Sequence, residues 1–114
     1  MPKKHRLSHS DFKLVANARF RRERGKYFTL SYGTIPGTKG VYPRIACVVS
    51  KKGAARAVDR NLIKRRCRDA AKSFISDIKE PLVLVFYAGR NAKSAPHAEI
   101  KKDMHELLQK AIVQ

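Results

Sequence analysis

From Ala57 onward the chain carries no glycine or proline until Pro81, and within that run cations and apolar residues separate by helical position. At about 100° per residue, Ile63, Cys67, Ala70, Phe74 and Ile78 stack on one face. Asn61, Lys64, Arg65, Arg68 and Lys72 form a stripe on roughly the opposite side. The wider stretch Ser50–Lys72 holds nine Lys or Arg side chains against two acids, Asp59 and Asp69. Cations packed this closely repel one another unless something anionic lies against them. One face of this helix is therefore expected to pack on a core, and the other to present charge.

The rest of the chain supplies that core. Lys26 to Tyr32 alternates Tyr27/Thr29/Ser31 with Phe28/Leu30/Tyr32, the period of a strand. Three glycines and a proline follow between Gly33 and Gly40, which predicts a long mobile hairpin loop over 33–43. Arg44 to Ser50 is apolar on both sides, as a central strand would be. After Glu80-Pro81 the run Leu82–Tyr87 reads as a buried strand, and Gly89–Ser94 as a polar turn. Pro96 suits the first turn of a last helix, whose core face is Ile100, Met104, Leu107, Leu108, Ala111 and Ile112. At the N-terminus, Ser8 caps a short helix with Phe12, Val15 and Ala16 on one side; Arg19, Arg21, Arg22 and Arg24 crowd its exit, and Gly25 breaks it. The strands flanking the basic helix are expected to be parallel neighbours or one apart. The general rule makes such a crossover right-handed.

A length of 114 residues suits one domain, with residues 1–6 as a basic flexible N-terminus. The expected architecture is α+β, a single-domain two-layer sandwich of helices on a mostly antiparallel four-stranded sheet. The formal net charge of +17 favours a polyanionic partner, with nucleic acid ahead of an anionic membrane. The apolar runs are far short of a transmembrane span. Met1-Pro2-Lys3-Lys4-His5-Arg6 leads into no apolar segment, so no signal peptide is read and a cytoplasmic location is expected. Cys47 and Cys67, 20 residues apart, match no metal spacing and are expected to be buried free thiols.

Candidate catalytic groups do not converge. No close pair of the nine acids falls on one core-facing or loop site of the kind metal-assisted hydrolysis uses. His5 and His9 are spaced i, i+4 but lack a third ligand. Binding is better supported. The cations of the helix and its leading loop can each neutralise a phosphate, and Asn61 sits among them. Lys13 and the N-terminal arginines are further phosphate candidates. Phe12, Tyr27, Phe28, Tyr32 and Tyr87 offer planar surfaces for unpaired bases, with Phe12 and Tyr32 favoured because each lies at the edge of its element. The basic helix has no partner at turn-helix spacing, so DNA is not the expected ligand.

Ser50-Lys51-Lys52, a short loop, Ala57-Val58, Asp59, Arg60-Asn61, then Lys64-Arg65 and Arg68 resemble the signature of the bacterial ribonuclease P protein subunit. Arg6-Leu7 followed by Asp11-Phe12 resembles the family's N-terminal entry, and the likeness extends over nearly all the chain. Leu62 stands where a third Arg is frequent in that family, and Ala16 where an aromatic is common.

The resemblance implies a ribonucleoprotein endoribonuclease that removes the 5′ leader of precursor tRNA. In it the RNA subunit, with Mg2+ held mainly by RNA, carries the chemistry, and no protein side chain is catalytic. It implies contact with the catalytic RNA through Lys51, Lys52, Arg56, Arg60, Asn61, Lys64, Arg65 and Arg68. The leader would meet Phe12, Lys13 and Tyr32 in a cleft between the first helix and the sheet. It also implies a ribosomal-protein-like fold with a left-handed β-α-β crossover. No membrane or DNA partner is expected, and metal positions and oligomeric state are left open. A ribosomal or ribosome-assembly RNA-binding protein is the alternative reading.

Overall fold

The apolar run after Pro81 becomes the strand on which the rest assembles. In chain order the computed structural model contains β1 (Arg21–Arg24), β2 (Phe28–Gly33), β3 (Arg44–Val48), α1 (Ala57–Lys72), β4 (Val83–Ala88) and α2 (His97–Val113), with 3-10 turns at Ile75–Asp77 and Arg90–Ala92. It describes residues 7, 13, 20–34, 43–52, 54–78 and 82–113. The sheet order is β1-β2-β4-β3. β4 pairs antiparallel with β2 and parallel with β3, and β1 is antiparallel to β2. The result is an α+β domain on a mostly antiparallel four-stranded sheet. The strands flanking α1 are parallel neighbours, as expected.

Alternation divides the sheet into two faces. Phe28, Leu30 and Tyr32 of β2, Ile45 of β3, and Leu84 and Phe86 of β4 face the helices. There they meet Ile63, Cys67, Ala70 and Ala71 of α1, and Ile100, Met104, Leu107, Leu108 and Ala111 of α2. Phe86 holds the centre, its ring 6.4 Å from that of Phe28 and 6.3 Å from that of Phe74. On the other face Val83 and Val85 are buried beneath Leu7, Phe20, Ala46, Val48 and Tyr87.

Several expectations change. Of the arginines assigned to a helix exit, Arg21, Arg22 and Arg24 form β1 instead, paired residue for residue from Arg21 opposite Tyr32 to Arg24 opposite Thr29, and Arg19 lies outside the described residues. β3 is not central but ends the sheet order, and its two apolar sides reflect one cluster on each face. The link from β2 to β3 is not a hairpin, because β4 lies between them. Of the loop expected over 33–43, residues 35–42 lie outside the described residues, as do residues 1–6, Ser8, Phe12, Val15 and Ala16. The basic helix stops at Lys72, where both the backbone N–H and the hydroxyl of Ser73 donate to the Ala70 carbonyl, at 3.1 and 2.6 Å. Phe74 and Ile78 are still buried, but through the turn that follows rather than on a continuing helix. Ile112, expected in the core face, is 39% exposed.

Cys47 and Cys67 are joined by a disulfide with their Cα atoms 6.3 Å apart, which corrects the free-thiol expectation. Each cysteine lies on the side of its element that meets the other, a pairing that spacing along the chain does not encode.

The β1–β2 turn is held from across the molecule. The Asp103 carboxylate of α2 accepts backbone N–H bonds from Lys26 at 2.8 Å and from Tyr27 and Phe28 at 3.0 Å each. Asp103 is 6% exposed, and its negative charge strengthens each of these bonds. Gly25 makes room for it: a Cβ there would stand 2.6 Å from Asp103 Oδ1. Gly33 similarly admits the Phe20 ring, which a Cβ would meet at 2.8 Å. Asp103→Ala leaves three turn amides without their acceptor and is expected to cost about 3 kcal/mol, lowering Tm by roughly 10 °C or more. Gly25→Ala should destabilise through the same carboxylate. A thermal melt of each variant checks this, and an unchanged Tm in both would remove the clamp from the fold's stability.

Candidate nucleic-acid interface

α1 starts where its leading loop is tied down. Arg60 Nη1 donates to the carbonyls of Ala54 at 3.0 Å and Ala55 at 2.7 Å, closing the loop against the first turn. A guanidinium has five N–H donors, so these bonds leave Arg60 able to meet an anion as well. Lys51 and Lys52, in the turn after β3, and Arg56, just before the helix, are all exposed.

Along the helix Asn61, Arg65, Arg68 and Lys72 are exposed and Lys64 is half-buried. Together with Asp69 they line an open depression of about 400 Å³. The Asp69–Lys72 pair at 4.0 Å has both side chains about half exposed, so it offsets little of the positive field. The expected cations thus come together on one loop and one helix face. Arg60 differs from the others because it also braces the loop.

Arg66 does not join this stripe. Its Nη1 donates to the Ala95 carbonyl at 3.2 Å, and on the same flank Asp59 pairs with Lys93 at 3.2 Å. These contacts anchor the 89–96 segment to α1. Leu62, on the same helix, is half-buried.

The opposite sheet face carries a second basic surface. Arg22, Arg24, Thr29 and Tyr87 line an open depression of about 470 Å³. Their register explains the grouping, since Arg24, Thr29, Tyr87 and Val48 lie in one row across the four strands. The Arg22 guanidinium carbon stands 5.8 Å from the centroid of the Tyr87 ring, within cation–π range. A cation beside a half-exposed aromatic plane suits a phosphate next to an unpaired base.

Of the three expected leader contacts, Lys13 is exposed and helical, and Phe12 lies outside the described residues. Tyr32 is a correction: it is 6% exposed and packed in the core on the helix-facing side. Tyr27 and Phe28 are likewise buried. Among the described aromatics of this group, Tyr87 is left half-exposed on the open face. The signal that would have found it is parity: once Leu84 and Phe86 are read as core, Val83, Val85 and Tyr87 must face the other way. Arg22 and Arg24 needed β1 to be recognised as a strand first.

Among the described residues no group of three or more His, Cys, Asp or Glu side chains is placed to hold a metal ion. No helix there is long and apolar enough to cross a membrane.

Comparison with known proteins identifies the family and the fold. The family model for ribonuclease P matches residues 1–112. The chain is 31% identical over 113 residues to the ribonuclease P protein component of a Pseudanabaena species, covering 99% of this chain and 96% of that one. It is 31% identical over 116 residues to that of a Picosynechococcus species, covering 99% and 95%. Its fold is similar to the solved RNase P protein of Staphylococcus aureus, with TM-score 0.79 and 24% identity over 94% of each chain. The RNase P protein of Thermotoga maritima gives TM-score 0.73 and 19% identity over 88% of this chain and 90% of that one. By its sequence match over nearly the full length, the chain belongs to the ribonuclease P protein component family, the protein part of an RNA-processing ribonuclease.

Proposed function

We propose that this chain binds the catalytic RNA of ribonuclease P through Lys51, Lys52, Arg56, Arg60, Asn61, Lys64, Arg65 and Arg68, and that it assists cleavage of precursor tRNA in the cytoplasm. The observation that carries the reading is the stripe on α1: four exposed polar or basic side chains and one half-buried lysine on a helix whose opposite face is core. A row of cations on an already folded helix can neutralise successive phosphates of a folded RNA without the helix backbone having to order at binding. The 5′ leader lies on the open sheet face, at Arg22, Arg24 and Tyr87 in place of Tyr32, and Lys13 and Phe12 are kept as leader contacts on the family resemblance.

Hydrolysis belongs to the RNA. Among the described residues no three His, Cys, Asp or Glu side chains converge on one point. Magnesium is expected on RNA phosphates, which the protein's charge helps to crowd together. The test is reconstitution with a bacterial catalytic RNA at low magnesium, where added protein should stimulate cleavage at the mature 5′ end. Cleavage by the protein alone would move catalysis onto the protein. Recovery of ribosomal RNA without the catalytic RNA from the native complex would favour the ribosomal reading.

Arg65→Ala should weaken RNA-subunit binding and lower the salt slope by about one unit, with Tm unchanged. Arg60→Ala should do the same and also lose about 1 kcal/mol of stability, because the loop carbonyls lose their donor. An unchanged slope for either removes that residue from the interface.

Arg24→Ala and Tyr87→Leu should weaken precursor tRNA binding, Tyr87→Leu by roughly tenfold. Leaderless tRNA should be unaffected. Equal losses on both substrates would remove the open face from leader binding.

A further inference from the structure

The disulfide joins β3 to the third turn of α1, and the segment it closes is the RNA-binding one. Seven lysines and arginines lie between Cys47 and Cys67, from Lys51 to Arg66, with Asp59 as the single acid. Of the residues proposed to hold the catalytic RNA, all but Arg68 fall inside this loop. We propose that the Cys47–Cys67 pair is a redox lock on RNA binding: the disulfide holds the loop and helix cations in register, and its reduction loosens them and lowers affinity. The proposal rests on the function assigned above.

The physical argument has two parts. Mutual repulsion among seven like charges drives the free segment to spread. Within the leading loop the hydrogen bonds are local, namely Ala54 N–H to the Ser50 carbonyl at 3.1 Å and the two bonds from Arg60, while the longer-range contacts, Asp59–Lys93 and Arg66–Ala95, hold the flank of α1 and not the loop. A covalent link from the sheet to α1 restricts that spreading before RNA arrives, and so lowers the ordering cost of binding.

The difference in burial between the two cysteines sets how the lock opens. Cys67 is 0% exposed, whereas Cys47 is half-buried. A low-molecular-weight thiolate attacks Cys47 Sγ, forming a mixed disulfide and releasing Cys67 as a thiolate, which takes up a proton. A second thiol attacks the mixed disulfide, leaving both cysteines as thiols and the reductant as its disulfide. The reverse sequence, with a low-molecular-weight disulfide as oxidant, closes the lock. A reducing compartment keeps the pair as thiols at rest, so oxidising conditions are what would engage it.

The test compares wild-type protein equilibrated with oxidised or reduced glutathione, its state fixed by counting free thiols after denaturation. Binding is measured to a bacterial ribonuclease P RNA transcript. The oxidised form should bind about threefold to tenfold more tightly than the reduced form, and melt roughly 5–10 °C higher. Cys47→Ala should match the reduced wild type in both buffers. Two free thiols in the oxidised sample, or equal RNA affinity of the two states, overturns the lock alone. Absence of RNA binding by both states overturns the proposed function as well.

Discussion

Burial of Ile63, Cys67, Ala70 and Ala71 against the sheet decides where every cation of α1 goes. A helix rotates as a unit, so fixing four apolar side chains in the core fixes the remaining directions too. Asn61, Arg65 and Arg68 then have no place except solvent, and Arg66 and Asp59 fall on the flank beside the 89–96 segment. The core of this protein is thus also the device that aims its charge. That coupling explains why a chain with net charge +17 can hold its cations in a fixed pattern.

The sheet extends the same logic to a second surface. β4 lies between β2 and β3, and the β1–β2 hairpin hangs from it through a turn clamped by Asp103. This clamp links α2, on one side of the sheet, to the strand that presents Arg22 and Arg24 on the other. In the proposed function the two basic surfaces meet two different RNAs. Those polyanions repel each other, and a cationic layer between them screens that repulsion. The disulfide adds a covalent tie on the α1 side, where the density of like charge is greatest.

Much of the site was legible in the sequence because it is local. Arg60, Asn61, Lys64, Arg65 and Arg68 sit within three helical turns, and helical periodicity alone puts them near one another. What was missed depends on pairing between distant strands. Arg22, Arg24, Thr29 and Tyr87 become a group only through the β1–β2 and β2–β4 registers. Tyr32 was misplaced for a related reason: alternation gives two sides of a strand, and only the layers packed on them say which is wet. Phe28, Leu30 and Tyr32 share parity, and that parity turned out to be the core.

The sequence by itself determined the α+β class, the buried strand after Pro81, the amphipathic face of α1 and the large positive charge that favours a polyanionic partner. Each follows from periodicity or charge within a short window. Tertiary structure decided the sheet order, the conversion of the arginine-rich segment into β1, the Asp103 clamp and the Cys47–Cys67 bond. The disulfide and the clamp join residues from 20 to 77 positions apart. Such contacts are set by which faces the packed layers bring together, and no local pattern records that.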